Sequence, residues 1–313
     1  MTTFLVTGGA GFIGSHLVEA LLKQGHTVRV VDNFSTGKQA NLAQFINDIE
    51  LHKISITDFD ALSVAMKGVD YVFHEAAIAS VPRSIDDPKT CHDVNVTGTF
   101  NVLCTARDAG VKRVVYAASS SAYGDIEGEY KREDMPPRPL SPYGAAKLAA
   151  EHYMKVFYEV YGLETVSLRY FNVFGPRQDP NSEYAAVIPK FALRMMIDES
   201  PIIYGDGLQS RDFTFIDNIV HGNLLAITSP KAAGQMFNLA CGGRYSLLDV
   251  VKILNSHMSK DIEPIFEPSR TGDIKHSRAD INKAGELLGY EPIITFEEGI
   301  SRTVDWFAKQ PSQ

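Results

Sequence analysis

The amino-acid sequence predicts a doubly wound α/β fold, in which a parallel β-sheet is followed by a smaller α/β domain. Short β-rich runs alternate with helical patterns through the first 170 residues, and this alternation is typical of repeated βαβ units. A glycine-rich turn at residues 7–14 joins the first run to the first helical pattern. Beyond about residue 171 the alternation stops and Gly, Pro, Asn and Arg become frequent, which favours a loop-rich second domain.

Each predicted element follows from its hydrophobic period. The predicted strands are 3–7, 27–32, 50–55, 70–75, 112–118 and 164–170. The predicted helices are 12–24, 39–48, 59–67, 92–109 and 143–161, because apolar residues recur there three and four positions apart. The segment 212–240 again has a strand–helix–strand pattern, so the chain is expected to return to the first domain there. The predicted domains are therefore 1–170 with 212–240, and 171–211 with 241–313.

Composition excludes several classes of protein. The 313 residues are 44% hydrophobic and carry a net charge of −8, so a nucleic-acid partner is not expected. No stretch approaches the roughly 18 apolar residues of a membrane span, and no secretory leader precedes the first predicted strand. We therefore expect a cytoplasmic protein without a membrane partner. Cys91, Cys104 and Cys241 are widely spaced and are expected to be reduced core residues, and no metal site is predicted.

The turn at residues 7–14, TGGAGFIG, has the glycine spacing of a dinucleotide-binding loop. Glycines let the backbone approach a pyrophosphate closely at the start of a helix, where free N–H groups carry partial positive charge. The second predicted strand ends at Asp32, a carboxylate that can accept hydrogen bonds from an adenosine ribose. A 2′-phosphate would be repelled by this charge, so the sequence predicts NAD as the cofactor. Asp58 would reach the adenine amino group or, alternatively, cap the helix at 59–67.

The helix predicted at 143–161 has a defined start. The preceding stretch, MPPRPLSP at residues 135–142, cannot continue a helix or a central strand and is predicted to be a surface loop. Ser141 would cap the helix, and Pro142 would occupy its first position, where a missing N–H costs nothing.

Tyr143 and Lys147 form a Tyr-x-x-x-Lys pair on one face of this helix, and the preceding predicted strand runs into Ser119, Ser120 and Ser121. A tyrosine with the ordinary pKa of about 10 is a poor base near neutrality unless nearby positive charge stabilises its phenolate. Lys147 and an oxidised nicotinamide ring would supply that charge, while a serine hydroxyl holds the same substrate oxygen. The group is suited to removing a proton from a secondary alcohol while its carbon gives a hydride to the cofactor.

These motifs make the sequence resemble the extended short-chain dehydrogenase/reductases, and among them the UDP-hexose 4-epimerases. The resemblance rests on TGGAGFIG at 7–14, SSSAYG at 119–124, SPYGAAK at 141–147, RYFN at 169–172, RDF at 211–213 and RTGD at 270–273. It covers essentially the whole chain. It implies that the first predicted domain is a Rossmann-like NAD-binding domain and that the second binds a UDP-sugar.

The resemblance implies a tightly held NAD that is regenerated in every turnover. Tyr143 would deprotonate the C4 hydroxyl of the sugar, hydride would pass to the nicotinamide, the 4-keto sugar would rotate, and hydride would return to its other face. The implied catalytic residues are Ser119, Tyr143 and Lys147. The expected cofactor contacts are Gly8, Gly11, Phe12, Ile13, Asp32, Asn33, Ser35, Thr36, Gly37, Asp58, Ala76, Ala77, Asn95, Tyr143, Lys147 and Tyr170. The expected substrate contacts are Ser80, Ser119, Ser120, Ser121, Asn172, Ala186, Val187, Tyr204, Arg211, Arg270, Asp273 and Ser277.

The choice among related reactions rests on a few positions. The 4,6-dehydratases resemble this chain but carry an Asp-Glu pair at Ser120 and Ser121, and uronic-acid decarboxylases place a glutamate at Ser121, so the serines favour epimerisation. At Ser277, epimerases limited to UDP-glucose and UDP-galactose carry a bulky tyrosine. The small serine, together with Ser80, therefore implies space for an N-acetyl group, as in interconversion of UDP-GlcNAc and UDP-GalNAc.

Other activities and an assembly also follow from the resemblance. The alternatives left open are a UDP-uronate epimerase, a decarboxylase, a 4,6-dehydratase, a reductase that exchanges its cofactor with solution, and a non-catalytic nucleotide sensor. Helices 92–109 and 143–161 have apolar residues on their outer faces, which implies a homodimer held by a four-helix bundle.

Overall fold

A computed structural model describes residues 2–126, 128–180, 187–269 and 275–310 of the chain. The strands are β1 (Thr3–Thr7), β2 (Thr27–Val31), β3 (Ile49–His52), β4 (Tyr71–His74), β5 (Arg113–Ser119), β6 (Glu164–Tyr170), β7 (Val173–Phe174), β8 (Ile202–Tyr204), β9 (Ser210–Arg211), β10 (Thr214–Phe215), β11 (Gln235–Leu239), β12 (Tyr245–Ser246), β13 (Ile265–Glu267) and β14 (His276–Ser277). The α-helices are α1 (Phe12–Lys23), α2 (Phe59–Met66), α3 (Val81–Asp86), α4 (Pro88–His92), α5 (Thr99–Asp108), α6 (Pro142–Tyr161), α7 (Val187–Met196), α8 (Ile216–Thr228), α9 (Leu247–Met258), α10 (Asn282–Leu288) and α11 (Phe296–Ala308).

Seven parallel strands form a large sheet in the order β11-β6-β5-β4-β1-β2-β3. All seven residues of β5 are buried, as expected for a central strand that is covered on both faces. The winding reverses between β1 and β4, and in such sheets ligands bind outside the carboxyl ends of the strands at this point. The prediction of a doubly wound parallel fold is confirmed.

Alternate residues of each strand enter two separate cores, one on each face of the sheet. In β1, Phe4 and Val6 belong to the core that includes Leu17 of α1, whereas Leu5 belongs to the core that includes Val102 of α5. The strand directions and the helices on both faces bring the residues that follow β1, β4, β5 and β6 to a single edge of the sheet.

The segment predicted as a helix at 39–48 is instead a 3-10 helix at Gln39–Phe45. Leu42 is its buried residue. The backbone N–H of Lys38 and the Asn41 side-chain amide both donate to the carbonyl oxygen of Ala10, at 2.9 Å each. These bonds hold the segment tightly against the glycine turn, and this constraint is not visible in the hydrophobic period.

The helix predicted at 92–109 begins earlier, at Pro88, and is interrupted by a π-helical turn at Asp93–Gly98. Such turns insert an extra residue into a helix and re-aim its side chains. Asn95 lies inside this turn, so its side chain leaves the helix in a different direction from the one that a regular α-helix would give it.

Shorter strands follow the large sheet. β10 pairs with β7, β9 lies between β12 and β14, and β13 pairs with β8. The segment 212–240 contains β10, α8 and β11, and β11 lies beside β6 in the large sheet. The domain limits themselves stay a prediction. In the part of the chain that the structure describes, no helix is long and apolar enough to cross a bilayer. All three cysteines are free thiols; Cys91 and Cys104 are buried, and Cys241 is half-buried.

Candidate active site

The glycine turn after β1 forms a tight cradle. Gly8 has a φ of +68°, and a Cβ atom there would lie 2.7 Å from the backbone nitrogen of Ala76. At Gly11 a Cβ would lie 3.0 Å from the carbonyl oxygen of Gly8, and at Gly14 it would overlap that oxygen. Side chains at these positions would therefore fill the space next to the start of α1, where a pyrophosphate needs close access to backbone N–H groups.

Asp32 follows β2 directly, and its carboxylate is held in a fixed direction. One oxygen accepts a hydrogen bond from the backbone N–H of Ala10 at 2.9 Å, and the other accepts one from Phe34 at 2.8 Å. Burial raises the pKa of the Asp32 carboxyl, and these two bonds oppose the rise. Each oxygen keeps a lone pair for a ribose hydroxyl. This arrangement fits the adenosine end of NAD.

A cavity runs from Asp32 along the glycine turn to the end of β4. Its lining contains these predicted cofactor contacts: Gly8, Gly11, Phe12, Ile13, Asp32, Asn33, Ser35, Thr36, Gly37, Ala76 and Ala77. Its lining also contains residues that were not predicted: Gly14, Val31, Ile54, Ser55, Ile56, Glu75, Ile78, Ala79 and Val94.

Three predicted cofactor contacts have other partners in the structure. The Asp58 carboxylate caps α2 by accepting from Ala61 N–H at 3.1 Å, which is the alternative role considered for it. The buried Asn95 amide bonds both backbone groups of Ile78, at 2.8 and 3.1 Å. Tyr170 is buried at the end of β6, and its hydroxyl donates to Glu75 at 2.9 Å. Asn95 therefore supports the cavity wall through Ile78, and direct contact of these three residues with NAD stays a prediction.

The start of α6 is fixed by two serines. Ser141 caps the helix by accepting from Gly144 N–H at 3.1 Å, and Pro142 occupies the first turn, as predicted. The buried Ser84, which was not predicted, accepts from the backbone N–H of Tyr143 at 3.1 Å. No sequence pattern marks Ser84, because it reaches α6 from a helix 59 positions earlier. Together these bonds fix where Tyr143 leaves the helix.

Tyr143, Lys147 and Ser119 meet at the carboxyl end of β5. Burial raises the pKa of the Tyr143 phenol, and a hydrogen bond with Ser119 opposes this. The Lys147 ammonium donates to the carbonyl oxygen of Ala117 at 2.7 Å and lies 6.0 Å from the centre of the Tyr143 ring. Burial lowers the pKa of Lys147 to about 8, and the charge of Glu75 opposes this. The phenol therefore needs further positive charge, such as an oxidised nicotinamide ring, to ionise near neutral pH.

The serine triplet turns sharply after β5. The Ser119 hydroxyl accepts from the backbone N–H of Ser121 at 3.1 Å and donates to the Ser121 hydroxyl at 3.0 Å. Ser120 and Ser121 begin a short 3-10 helix, Ser120–Ala122. Ser119 is the member of the triplet whose hydroxyl lowers the pKa of the Tyr143 phenol, which supports the role predicted for it.

A second cavity, of about 590 Å³, has a size suited to a small-molecule ligand. Four of the predicted substrate contacts line it: Asn172, Val187, Tyr204 and Arg211. Lys190, Arg194 and Gln209 line it as well and were not predicted. Its described lining residues include three cationic side chains and no carboxylate, and one of the three, Arg194, pairs with Glu199 at 3.1 Å. Lys190 and Arg211 make the cavity suitable for an anionic ligand such as a diphosphate.

The Asp212 carboxylate ties together the segments around Arg211. Asp212 is completely buried and accepts from the backbone N–H groups of Cys241 and Ala279, both at 3.1 Å. Burial raises the pKa of Asp212 to about 6. Arg211 in β9 pairs with Ser277 in β14, so these bonds fix the two predicted substrate contacts relative to each other.

The remaining predicted substrate contacts are placed less directly. Ser80 caps α3 by accepting from Arg83 N–H at 3.2 Å. Ala186, Arg270 and Asp273 lie outside the described residues.

Comparison with known proteins agrees with this geometry. Residues 4–240 match the NAD dependent epimerase/dehydratase family. The UDP-glucose 4-epimerase of Mycolicibacterium smegmatis is 39% identical over 307 residues, which are 97% of each chain. The UDP-glucuronate 4-epimerase of Thermodesulfobacterium geofontis is 37% identical over 98% of this chain and 96% of its own. The solved structure of UDP-N-acetylglucosamine 4-epimerase from Methanobrevibacter ruminantium, in complex with UDP-N-acetylmuramic acid, is 40% identical, with a TM-score of 0.95 and 99% of each chain covered.

The family match includes all of the large sheet except Thr3, and the cradle at Gly8 and the carboxylate of Asp32 fit the cofactor that the family uses. Relatives of nearly equal length extend the similarity through the second half of the chain. The chain therefore belongs to the NAD dependent epimerase/dehydratase family, and it is an NAD-dependent epimerase.

Proposed function

We propose that the protein is a UDP-hexose 4-epimerase that interconverts UDP-GlcNAc and UDP-GalNAc, and also UDP-glucose and UDP-galactose. The observation that carries this proposal is the group of Tyr143, Ser119 and Lys147 at the carboxyl end of β5. It supplies a base, a hydroxyl partner and a cation at the edge of the sheet where the cofactor cavity opens.

The protein's own groups move and hold the proton. Ser119 and Tyr143 would bind the C4 oxygen of the sugar, and the Tyr143 phenolate would take its proton. Lys147 would stabilise the phenolate by its charge. The chemistry that NAD supplies when bound is to accept a hydride from C4 and later to return it. Tyr143 would then give the proton back to the oxygen of the inverted alcohol, so that the reaction ends without net oxidation.

The second cavity would hold the nucleotide part of the substrate. Arg211 and Asn172 are proposed to bind the diphosphate, with Arg270 from outside the described residues, and Tyr204 is proposed to pack on uracil. Hydrogen bonds from guanidinium groups to phosphate oxygens are charge-assisted and short, which favours arginine in this role. Lys190 in α7 adds positive charge to the same cavity.

The substrate preference is inferred from what the site contains. Elimination of water needs an acid and a base, which the dehydratases that this chain resembles carry at the positions of Ser120 and Ser121. The decarboxylases that it resembles carry a glutamate at Ser121, whereas both positions are serines here. Ser277 is half-buried in β14 next to Arg211, and its small side chain would leave room beside a sugar bound there. A UDP-uronate 4-epimerase is the alternative supported by a specific observation, since one relative with that name is 37% identical.

Proton NMR of the anomeric region tests the proposal. The purified protein, with no added nicotinamide, is expected to produce the C4 epimer from UDP-GlcNAc and from UDP-glucose. Ser277→Tyr should lose activity on UDP-GlcNAc and keep it on UDP-glucose, whereas Ser277→Thr should keep both. Equal losses on both substrates in Ser277→Tyr would contradict the pocket argument. Epimerisation of UDP-glucuronate alone would replace the proposed substrate with the alternative.

We also propose a homodimer formed by the outer faces of α5 and α6. Phe100, Tyr153, Val156, Val160 and Tyr161 are large hydrophobic residues that remain exposed on these two helices. The Phe100 and Tyr153 rings pack edge to face at 5.3 Å, so part of this face is already ordered. Light scattering should give twice the chain mass for the unmodified protein. The control variant Ile293→Glu, which changes an exposed residue outside α5 and α6, should also give twice the chain mass. Val160→Glu should give the monomer mass, and a monomeric unmodified protein would exclude the proposal.

A further inference from the structure

Glu75 is an ionisable residue in the cofactor cavity for which the proposed proton transfer has no use. It follows β4 directly and lines the cavity between His74 and Ala76. The residues around it in the sequence, His74, Ala76 and Ala77, bring no charge of their own at neutral pH, because burial lowers the pKa of His74 to about 3. A carboxyl group at this position therefore needs its own explanation.

The structure holds the Glu75 carboxyl in a built hydrogen-bond network. The Tyr170 hydroxyl donates to Glu75 Oε1 at 2.9 Å. The completely buried Asn223 donates through Nδ2 to the same hydroxyl oxygen at 2.9 Å, and Nδ2 also donates to the carbonyl oxygen of Ile219. The Tyr170 hydroxyl also lies 3.1 Å from Asn223 Oδ1, so its single proton can be donated to Glu75 or to Asn223. The network therefore offers the Glu75 carboxyl one hydrogen-bond donor in a fixed position.

Glu75 lies at the reacting end of the cavity. The other end, at Asp32, suits the adenosine ribose, so the nicotinamide must lie toward Tyr143 and Lys147. The groups that interact electrostatically with Glu75 are Lys147 and Tyr143 from α6, Tyr116 from β5 and Tyr170 from β6. Lys147 is the one cation among them.

We propose that Glu75 sets the redox preference of the bound cofactor, by placing a negative charge where the nicotinamide ring must lie. The oxidised ring carries a positive charge that the reduced ring lacks, so a nearby carboxylate favours the oxidised form. During turnover the sugar C4 gives up two electrons and a hydrogen as hydride to the ring, and the C4 hydroxyl proton goes to Tyr143. A charge that favours the oxidised ring drives hydride back to the 4-keto sugar and opposes accumulation of reduced enzyme.

The charge of Glu75 depends on pH in the neutral range. Burial raises its pKa to about 7, and the Tyr170 hydrogen bond and the charge of Lys147 oppose the rise. The carboxyl is therefore neutral below about pH 7 and charged above it. The preference for oxidised cofactor should grow as the pH rises through 7. Lys147 loses its positive charge above about pH 8, and this loss also favours the oxidised cofactor. A variant of Glu75 is therefore needed to separate the two effects.

Cofactor exchange without any sugar nucleotide tests the inference. The holoprotein is equilibrated with equal, excess concentrations of NAD+ and NADH at pH 6 and pH 8, freed of unbound nucleotide, and the bound ratio is measured by absorbance at 340 nm and enzymatic assay. At pH 8, Glu75→Gln should hold a NADH:NAD+ ratio roughly tenfold higher than the unmodified protein, because two unit charges across a partly buried site interact on that scale. At pH 6, where Glu75 is neutral, the two proteins should agree.

Two further variants complete the test. Glu286→Gln removes the same charge from an exposed position on α10 and should leave both ratios unchanged. Tyr170→Phe keeps Glu75 but removes its hydrogen bond, so the pH at which the ratio changes should move upward; this holds even if Glu75→Gln does not fold. A ratio in Glu75→Gln within twofold of the unmodified protein at pH 8, or an unmoved transition in Tyr170→Phe, would refute the inference. The inference rests on the proposed function, because both use the same cofactor site. Cofactor exchange needs no epimerisation, so a failure of the inference can be distinguished from a failure of the proposed function.

Discussion

The two halves of the site are built in different ways. The cofactor half uses backbone: glycines at the end of β1 and N–H groups that orient Asp32, all at the ends of long parallel strands. The half that we propose to bind the sugar nucleotide (the sugar-nucleotide half) uses side chains, such as Arg211 and Tyr204, from strands of two or three residues. The first half is positioned by the sheet itself. The second depends on individual buried contacts, of which the Asp212 carboxylate is the clearest.

The largest effect should come from the group that serves both halves. Tyr143→Phe removes the proposed base and leaves the ring that packs beside Cys91 and Ala146. General base catalysis contributes roughly 10²- to 10⁴-fold, and kcat should fall by at least that factor. The cofactor absorbance of the purified variant should be unchanged, because the glycine cradle is intact. Retention of full activity would mean that Tyr143 is not the base.

The next effect should be confined to the cofactor half. In Gly14→Ala the new Cβ overlaps the Gly8 carbonyl oxygen, so the cradle must open and the purified variant should contain little NAD. The matched control is Gly285→Ala in α10, where the nearest atom to the new Cβ is 3.6 Å away. Alanine is the better helix former, by about 0.5–1 kcal/mol, so this control should keep NAD and gain slightly in stability. Equal NAD content in the two variants would show that the cradle is not required.

The same contrast explains what the sequence predicted well. Six of the seven strands of the large sheet were found within a few residues of their predicted positions, because buried parallel strands and their covering helices leave a clear hydrophobic period. The residues at the strand ends, Asp32 and Ser119, were therefore predicted together with their neighbours. The 3-10 helix at Gln39–Phe45 was predicted as an α-helix, because the bonds from Lys38 and Asn41 to Ala10 are tertiary and leave no local pattern.

Residues that act through a partner were harder to predict. Ser84 and Asp212 each bond a distant backbone N–H, and neither belongs to a local pattern that would reveal the partner. Asn95 was expected to contact the cofactor, and that contact stays a prediction; the sequence did not show that the π-helical turn would bring its amide to Ile78. Glu75 could have been noticed, since it is the last residue of a predicted strand and lies at the same edge as the other site residues.

A smaller effect should be confined to the sugar-nucleotide half. Asp212→Asn keeps the size of the side chain, but an amide has one acceptor oxygen, so one of the N–H groups of Cys241 and Ala279 loses its partner. An unsatisfied buried N–H costs about 1–3 kcal/mol, and part of that cost should appear as displacement of Arg211 and Ser277. We expect KM for the sugar nucleotide to rise roughly tenfold, with NAD content unchanged. A loss of NAD, measured by the same absorbance, would show that the two halves are not independent.

The smallest effect should come from titration of Lys147, which belongs to neither half alone. Its pKa is lowered to about 8, so the ammonium is present below that pH and is lost as the pH rises through it. Without this charge the Tyr143 phenolate is less stable, so kcat should fall roughly threefold between pH 7.5 and 8.5, in proportion to the charged fraction of a group with that pKa.

In Lys147→Arg the charge persists at all these pH values, since arginine does not deprotonate in proteins. The variant should have a lower kcat, because the larger guanidinium group cannot keep the hydrogen bond to Ala117 in the same geometry. Its kcat should nevertheless stay constant as the pH rises from 7.5 to 8.5. A decline in kcat at the same pH in both proteins would assign the decline to another group. A rise in KM in place of a fall in kcat would place that group in the sugar-nucleotide half.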